Sequence, residues 1–345
     1  KKGISFYLNQ FEGSGSLMAS TFGKVTNSVG LSLSIKGPGL ANSVSGIAAS
    51  WFESFPLIHL TESHNYASSF SFSHKRINQR KLLSELTKGS FFLNNNKNDF
   101  NNIIDISKSE TPGPVIIEMS SKSNNNNFKI KKNYELPDEG VAFQLIKKSN
   151  TPIVILGSLA CRKVPKNLLQ NLMIPVFTTV AAKGFINEYE NNSAGIYTGV
   201  GLELTPEIEI LKHTDLVIGI GLCAKEVLSV KKFSCSSINL ESIYTKGIEG
   251  FKFNARISID NFNQVFNLIS DKNWGLDILS KSLLKLNKYL EKDFLPGYVF
   301  KILNELFVKQ PRVVFDTGYF CTIAEHAWKS KDENLCLISS NGRYM

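Results

Sequence analysis

Along most of the chain, short apolar runs bounded by turn residues alternate with longer segments in which apolar positions recur at helical period. Continuous apolar runs of strand length predict strands buried on both faces, the pattern of a parallel sheet covered by helices. The expected fold class is therefore α/β, with parallel sheets flanked by helices. Val29 to Ile35, Phe55 to Leu60 and Pro114 to Met119 are the predicted strands of a first domain, residues 1–119, with a helix from Ala41 to Glu53 between the first two. Residues 120–140 turn polar, through Ser121-Lys122-Ser123 and the run Asn124 to Asn127. Such a composition buries too little apolar surface to offset the entropy of ordering, which marks a linker. Strands are predicted again at Ile153 to Leu156, Ile174 to Thr178, Leu216 to Ile220 and Ser237 to Leu240, in a second domain of residues 141–266. The amphipathic stretch Leu276 to Phe307, followed by strands at Val313 to Phe315 and Leu335 to Ile338, opens a third, incomplete domain over 267–345.

Composition narrows the class without deciding it. At 345 residues, with 42% hydrophobic and 20% charged residues, the chain reads as an ordinary globular protein. No run approaches the roughly 20 apolar residues of a membrane span and no signal-peptide core opens the chain, so the expected location is cytoplasmic, with no membrane partner. The net charge of +9 comes from lysines scattered among asparagines. Without a basic surface interleaved with aromatics, this reads as solvated surface and not as a nucleic-acid face. Cys161, Cys223, Cys235, Cys321 and Cys336 lie singly, without zinc-site spacing, and are read as reduced core thiols. The start at Lys1-Lys2-Gly3 and the stop at Met345, just after a predicted strand and turn, lead us to expect that both ends are cut.

The segment richest in chemistry runs from Phe11 to Glu62. Glu12 leads a stretch of small residues (Gly13-Ser14-Gly15-Ser16). A strand follows, then Gly37-Pro38-Gly39, then Ala41-Asn42 opening a helix, and Glu53-Ser54-Phe55-Pro56 before the next strand. Glycines around a proline at a strand's C-terminal end let backbone pass close to a ligand at the helix start, where open α/β sheets bind. A plain tight turn has the same residues. Similarly, Glu12 taken alone is a solvated glutamate at a helix start.

Taken together, these pieces resemble the pyrimidine-binding domain of the thiamine-diphosphate-dependent, acetolactate synthase-like enzymes. Glu12 falls at the family glutamate's distance from the turn, Lys36-Gly37-Pro38-Gly39 stands for its Ser-Gly-Pro-Gly, and Leu40-Ala41-Asn42 and Glu53-Ser54-Phe55-Pro56 follow in order. Thr87-Lys88 and Pro112-Gly113-Pro114-Val115 continue the match. The resemblance implies that Glu12 is catalytic, its carboxyl hydrogen-bonding N1′ of the cofactor's aminopyrimidine so that the amino group can take the proton from thiazolium C2. It also implies that Gly37, Pro38, Gly39 and Asn42 line the cofactor.

Further along, Thr151 to Gly157, Pro175 to Thr179, Lys183-Gly184, Glu188, Gly195 to Gly199 and Asp215 to Gly221 are similar to the family's central domain, which in some members holds FAD or ADP. Gly219-Ile220-Gly221 with Ala224, and Glu241 at the next strand's end, also fit a dinucleotide fingerprint, so an NAD-dependent dehydrogenase is the rival reading. Val313 to Phe320 resembles the strand and loop that approach the diphosphate, placing Gly318 and Tyr319 at the cofactor. Ser339 to Met345 resembles the turn whose methionine, here Met345, touches the aminopyrimidine. The motif that holds Mg²⁺ is expected beyond that residue, leaving no metal ligand here and a chain that does not turn over by itself.

Among the histidines, His59 is expected in the core. His64 and His74 follow a strand end, and His64, with Lys88, is a candidate substrate contact. His213 and His326 sit in no family motif. Phe11, Gly13, Glu62-Ser63, Tyr319 and Phe320 depart from the family's residues, so the resemblance stops short of assigning acetolactate synthesis. The expected activity is thiamine-diphosphate-dependent decarboxylation or carboligation of a 2-oxo acid in a homodimer or homotetramer. Cleavage of a 2-hydroxyacyl-CoA, an oxalyl-CoA decarboxylase-like reaction and a non-catalytic binding fragment are the alternatives.

Overall fold

The computed structural model describes residues 3, 5–64, 74–92, 97–119, 138–199, 204–223, 226, 233–242, 252–292, 295–307, 309–316 and 318–338, with the backbone alone at 97, 98, 291, 292 and 319. The chain forms two compact units, Lys1–Lys132 and Asn133–Arg343.

The first unit runs α1 (Glu12–Val25), β1 (Gly30–Ser34), α2 (Pro38–Glu53), β2 (Leu57–Glu62), α3 (Gln79–Leu83), β3 (Ser90–Phe92), α4 (Lys97–Lys108) and β4 (Pro114–Met119). Its four strands are parallel in the order β1-β2-β4-β3. Alternate residues feed two cores. Leu57 and Ile116 join Leu40, Ile47 and Leu83 in one, while Ile58, Val115 and Ile117 join Phe91, Ile103 and Ile106 in the other. A sheet covered on both faces is what the unbroken apolar run at Pro114 to Met119 requires.

Of α1 the sequence pattern gives only a start at Glu12 and not its length, because Glu12 to Gly23 is poor in strong helix formers. Packing supplies what propensity lacks. Gly13, Ser16, Ser20 and Gly23 are its buried residues, and α2 buries Ser43, Gly46 and Ser50. A Cβ on Gly46 would lie 2.4 Å from the Gly13 carbonyl oxygen and 2.6 Å from Ser16 Cβ, so these backbones touch without room for a side chain. α2 itself begins one turn before the expected Ala41, with Gly37 (φ 71°) as N-cap and Pro38 as its first residue, whose ring presets helical φ. The short edge strand β3 is likewise absent from the expectation.

The second unit runs α5 (Glu139–Lys148), β5 (Pro152–Leu156), α6 (Ser158–Lys163), α7 (Lys166–Gln170), β6 (Val176–Thr178), β7 (Ser193–Ile196), α8 (Pro206–Leu211), β8 (Leu216–Ile220), β9 (Ser236–Glu241), β10 (Ala255–Ser258), α9 (Phe262–Ile269), α10 (Leu276–Lys292), α11 (Leu295–Leu306), β11 (Val313–Phe315), α12 (Tyr319–Ala327) and β12 (Cys336–Ile338). Six parallel strands take the order β10-β9-β8-β5-β6-β7, and β11 and β12 pair separately. In order of appearance this is 6-5-4-1-2-3, the doubly wound order of dinucleotide-binding folds. Of the expected linker, 120–137 lies outside the described residues and Glu139-Gly140 already belongs to α5. The stretch Leu276 to Phe307 is two helices. Strands β7 and β10 are additions to the expected set; both are short edges of the sheet.

Candidate functional site

The C-terminal edge of the first sheet collects Glu12, Gly37, Pro38, Gly39 and Asn42. Asn42 Nδ2 donates to Glu12 Oε2 at 3.1 Å, tying the start of α1 to the second turn of α2. A Cβ on Gly39 would come within 2.7 Å of Ile35 Cγ1 and 3.4 Å of Glu12 Oε1, so only glycine leaves that carboxyl oxygen an open flank. Among the described residues no donor reaches Oε1, and Glu12 is half-buried. Gly37 could carry no side chain either, since its Cβ would lie 2.0 Å from the Lys75 carbonyl oxygen. Its N–H donates to Gln79 Oε1 at 3.0 Å, and Gln79 Nε2 donates to the Glu62 carbonyl at 3.1 Å, which locks the turn to the end of β2.

His64 lies on the same edge, buried to 6% exposure. Burial first, and then the Lys36 charge, hold its imidazole below the ordinary range. Lys36 also pairs with Glu62 at 3.4 Å. Glu118, at the end of β4, is fully buried against Arg80 Nε at 2.7 Å, and that guanidinium covers the Phe92 ring at 4.2 Å. Gln79, Arg80 and Glu118 carry no signal in the sequence because each acts through a partner distant in the chain.

Other predicted residues do not join this cluster. Lys88 sits before β3, at the opposite end of the sheet, with Nζ donating to the Ser109 carbonyl at 2.6 Å and hydroxyl at 2.8 Å. Gly318 (φ 124°) caps α12 in the second unit; a Cβ there would meet nothing within 4 Å, so its backbone angle alone demands glycine. Tyr319 opens that helix, and Met345 lies outside the described residues. His59 is a core residue as expected, at 1% exposure, with Nδ1 2.8 Å from Ser32 Oγ and Nε2 2.9 Å from Ser34 Oγ. Burial pushes it down to about 4. His74 and His213 are exposed. His326 is likewise lowered to about 4, by burial and then the Lys183 charge.

In the second unit the family-like motifs are structural. Lys183 Nζ meets Glu188 at 2.7 Å inside the fold and donates to the Glu325 carbonyl at 3.0 Å. Gly184 (φ 79°) packs its backbone on the Asp332 carbonyl. The dinucleotide reading of Gly219-Ile220-Gly221 is corrected by topology. In this strand order the fingerprint belongs to the first strand-to-helix turn, here Gly157-Ser158, whereas Gly219 lies within the fourth strand. Glu241, the would-be ribose acid, faces Arg256 Nη1 at 3.6 Å and Asn239 Nδ2 at 3.3 Å. All five cysteines are thiols outside any disulfide, with Cys321 and Cys336 buried. Among the described residues no His, Cys, Asp and Glu cluster is placed to hold a metal, and no helix is long and apolar enough to cross a membrane.

Parallel sheets with a carboxylate over a glycine turn place the chain among the open-sheet α/β proteins that bind ligands at strand ends. Comparison with known families makes the class specific. Residues 1–82 match the thiamine pyrophosphate enzyme N-terminal TPP-binding domain, and residues 141–241 match the central domain of the same enzymes. The acetolactate synthase large subunit of Cyanidium caldarium is 26% identical over 266 residues, covering 69% of this chain and 45% of that protein. The corresponding subunit of Pyropia yezoensis is 24% identical, covering 64% and 41%. A probable 2-ketoarginine decarboxylase of Pseudomonas aeruginosa is 24% identical, covering 64% and 42%. The chain thus spans less than half the length of these curated relatives. It belongs to the thiamine pyrophosphate enzyme family, on its acetolactate synthase-like side.

Proposed function

We propose that the chain is part of an enzyme that uses thiamine diphosphate to decarboxylate a 2-oxo acid, releasing the product or joining it to a second carbonyl compound. The observation that carries this reading is the Glu12 carboxyl, fixed through Oε2 by Asn42 while Oε1 stays open beside Gly39. That arrangement fits a ring nitrogen that must share a proton. When bound, thiamine diphosphate supplies an acidic C2–H and an electron sink beside the substrate carbonyl. Glu12 Oε1 is the atom that holds the shared proton, Asn42 keeps the carboxyl from rotating away, and Gly37 to Gly39 hold the backbone where a planar ring can approach. His64, on the same edge, is the better-placed substrate candidate; Lys88, at the far end of the sheet, is not one. The full protein is read as a cytoplasmic homo-oligomer requiring Mg²⁺, with Gly318 and Tyr319 toward the diphosphate and a three-domain organisation. Relatives named as a synthase and as a decarboxylase favour the shared first step, loss of CO₂, over any particular acceptor.

The test is hydrogen–deuterium exchange at C2 of bound cofactor in the whole protein and in Glu12→Gln. Exchange should slow by about 10²- to 10⁴-fold, the usual contribution of a positioned acid or base. Equal rates would remove Glu12 from the mechanism.

A further inference from the structure

The resemblance to thiamine enzymes allows FAD or ADP in the central domain, and the residues at the place where an open sheet receives a nucleotide do not fit one. In the order β10-β9-β8-β5-β6-β7 the winding direction reverses between β5 and β8, so the receiving crevice lies beyond the C-terminal ends of those two strands. Here the chain's own backbone is close-packed. Gly157, directly after β5, would place a Cβ 2.2 Å from the Gly221 carbonyl oxygen, and Gly221 (φ 66°) would place one 2.5 Å from Leu159 Cβ and 2.9 Å from the Ala160 nitrogen. The two strand-end loops therefore meet backbone to backbone.

Three of the donors at the crevice are also taken. Glu226 Oε2 accepts from the Ser158 N–H at 2.9 Å and from Thr179 Oγ1 at 3.0 Å, and Oε1 accepts from the Ser158 hydroxyl. These three donors come from the residue that opens α6 and the residue that follows β6, and a phosphate entering the crevice would need the same donors. Burial pushes the Glu226 carboxyl above its ordinary range, against the Ser158 hydrogen bonds, the Arg162 charge and Thr179. Charged or neutral, it takes all three donors.

We infer that Glu226 sets the nucleotide specificity of the second unit: its carboxyl stands in the crevice as an internal substitute for a phosphate and excludes FAD, ADP and NAD. This inference is independent of the role given to Glu12.

Titration calorimetry of the chain with FAD, ADP and NAD tests it, alongside Glu226→Ala and Glu226→Asp, each checked for fold by circular dichroism. Wild type should show no saturable heat with any of the three up to millimolar concentration. Glu226→Ala, with Ser158 and Thr179 released, should gain ADP binding at least about ten-fold tighter than any wild-type signal. Glu226→Asp, one methylene short of both partners, should gain it more weakly and serves as the test should the alanine variant fail to fold. Micromolar binding of any of the nucleotides by wild type overturns the inference. So does a folded variant that gains nothing, because the backbone contact at Gly157 and Gly221 would then be what closes the crevice.

Discussion

Glu12 and Glu226 each stand at the C-terminal edge of a parallel sheet, and the chain uses them in opposite ways. Glu12 receives one hydrogen bond, from Asn42, and keeps its other oxygen beside a glycine. Glu226 has both oxygens bonded within the fold, to Ser158 and Thr179. Strand ends of open sheets are the default place for a ligand, but topology only provides the location. Whether a site exists there depends on whether the chain has already satisfied its own donors and acceptors. At the first edge a carboxylate oxygen has no donor among the described residues, whereas at the second the Glu226 carboxyl is bonded through both oxygens.

The largest effects should separate the two carboxylates. Glu12→Gln in the whole protein should reduce turnover by about 10²- to 10⁴-fold with an unchanged melting temperature, since a half-exposed carboxyl beside glycines carries little packing. Glu226→Ala should do the reverse. It leaves buried donors at Ser158 and Thr179 without their acceptor, at about 1–3 kcal/mol for each unsatisfied group. A melting temperature that falls in Glu12→Gln and stays level in Glu226→Ala would invert the comparison.

A second contrast concerns the buried pair of the completed unit. Removing one partner, as in Glu188→Ala, strands Lys183 in the interior and should cost about 3–5 kcal/mol of stability, read from urea unfolding of the chain. Exposed pairs such as Lys212–Glu209 should cost little when broken. Similar losses at both would mean that water reaches Lys183.

How much of this is legible in the sequence follows the range of the interactions. The parallel α/β class is readable because it is written in short apolar runs, whereas the Glu12 to Asn42 cluster is readable only through the resemblance to a known family, since the glycine turn and Glu12 by themselves read as a tight turn and a solvated glutamate. The extent of α1 beyond its start at Glu12 is hidden because its helicity comes from contact with α2 and not from its own residues. Gln79, Arg80 and Glu118 are hidden because no local pattern links them to the glycine turn. Glu226 is the extreme case, its partners lying 68 and 47 residues away. The Gly219-Ile220-Gly221 fingerprint misleads for the converse reason: a local pattern without the strand order that gives it meaning.

The contact of α1 with α2 can be broken directly. Gly46→Val places carbon where the Gly13 oxygen and Ser16 Cβ now lie, and overpacking of this kind costs about 1–3 kcal/mol. Because α1 carries Glu12 on its first turn and α2 carries Asn42, the same change should part that pair and lower C2 exchange as well as stability. Gly140→Ala, at a helical glycine with open space around it, is the control: it should leave C2 exchange unchanged and should not lower stability, raising it by at most about 1 kcal/mol. A stable Gly46→Val protein with normal exchange would show that the helices can separate without moving the site.

The most localised expected effect lies beneath the first edge, at His59, which joins Ser16 of α1 to Ser32 and Ser34 of β1. Its folded pKa of about 4 lies below the ordinary value of 6.5. Between those values the unfolded chain binds a proton that the folded chain does not. The stability that neutral His59 contributes is therefore fully present above about pH 6.5 and is lost as pH falls toward 4. From pH 7.5 to pH 5 the loss should be about 2 kcal/mol, since each pH step of one below 6.5 removes about 1.36 kcal/mol and the range spans roughly one and a half such steps. Amide exchange of Leu57–Glu62, measured at both pH values and corrected for intrinsic rates, reads this out locally. His59→Leu should flatten the pH dependence at those amides, while His326, lowered in the same way in the second unit, leaves the slope there unchanged. If wild type and His59→Leu show the same dependence at β2, the imidazole is protonated at little cost, and the serines around it are not holding a neutral ring.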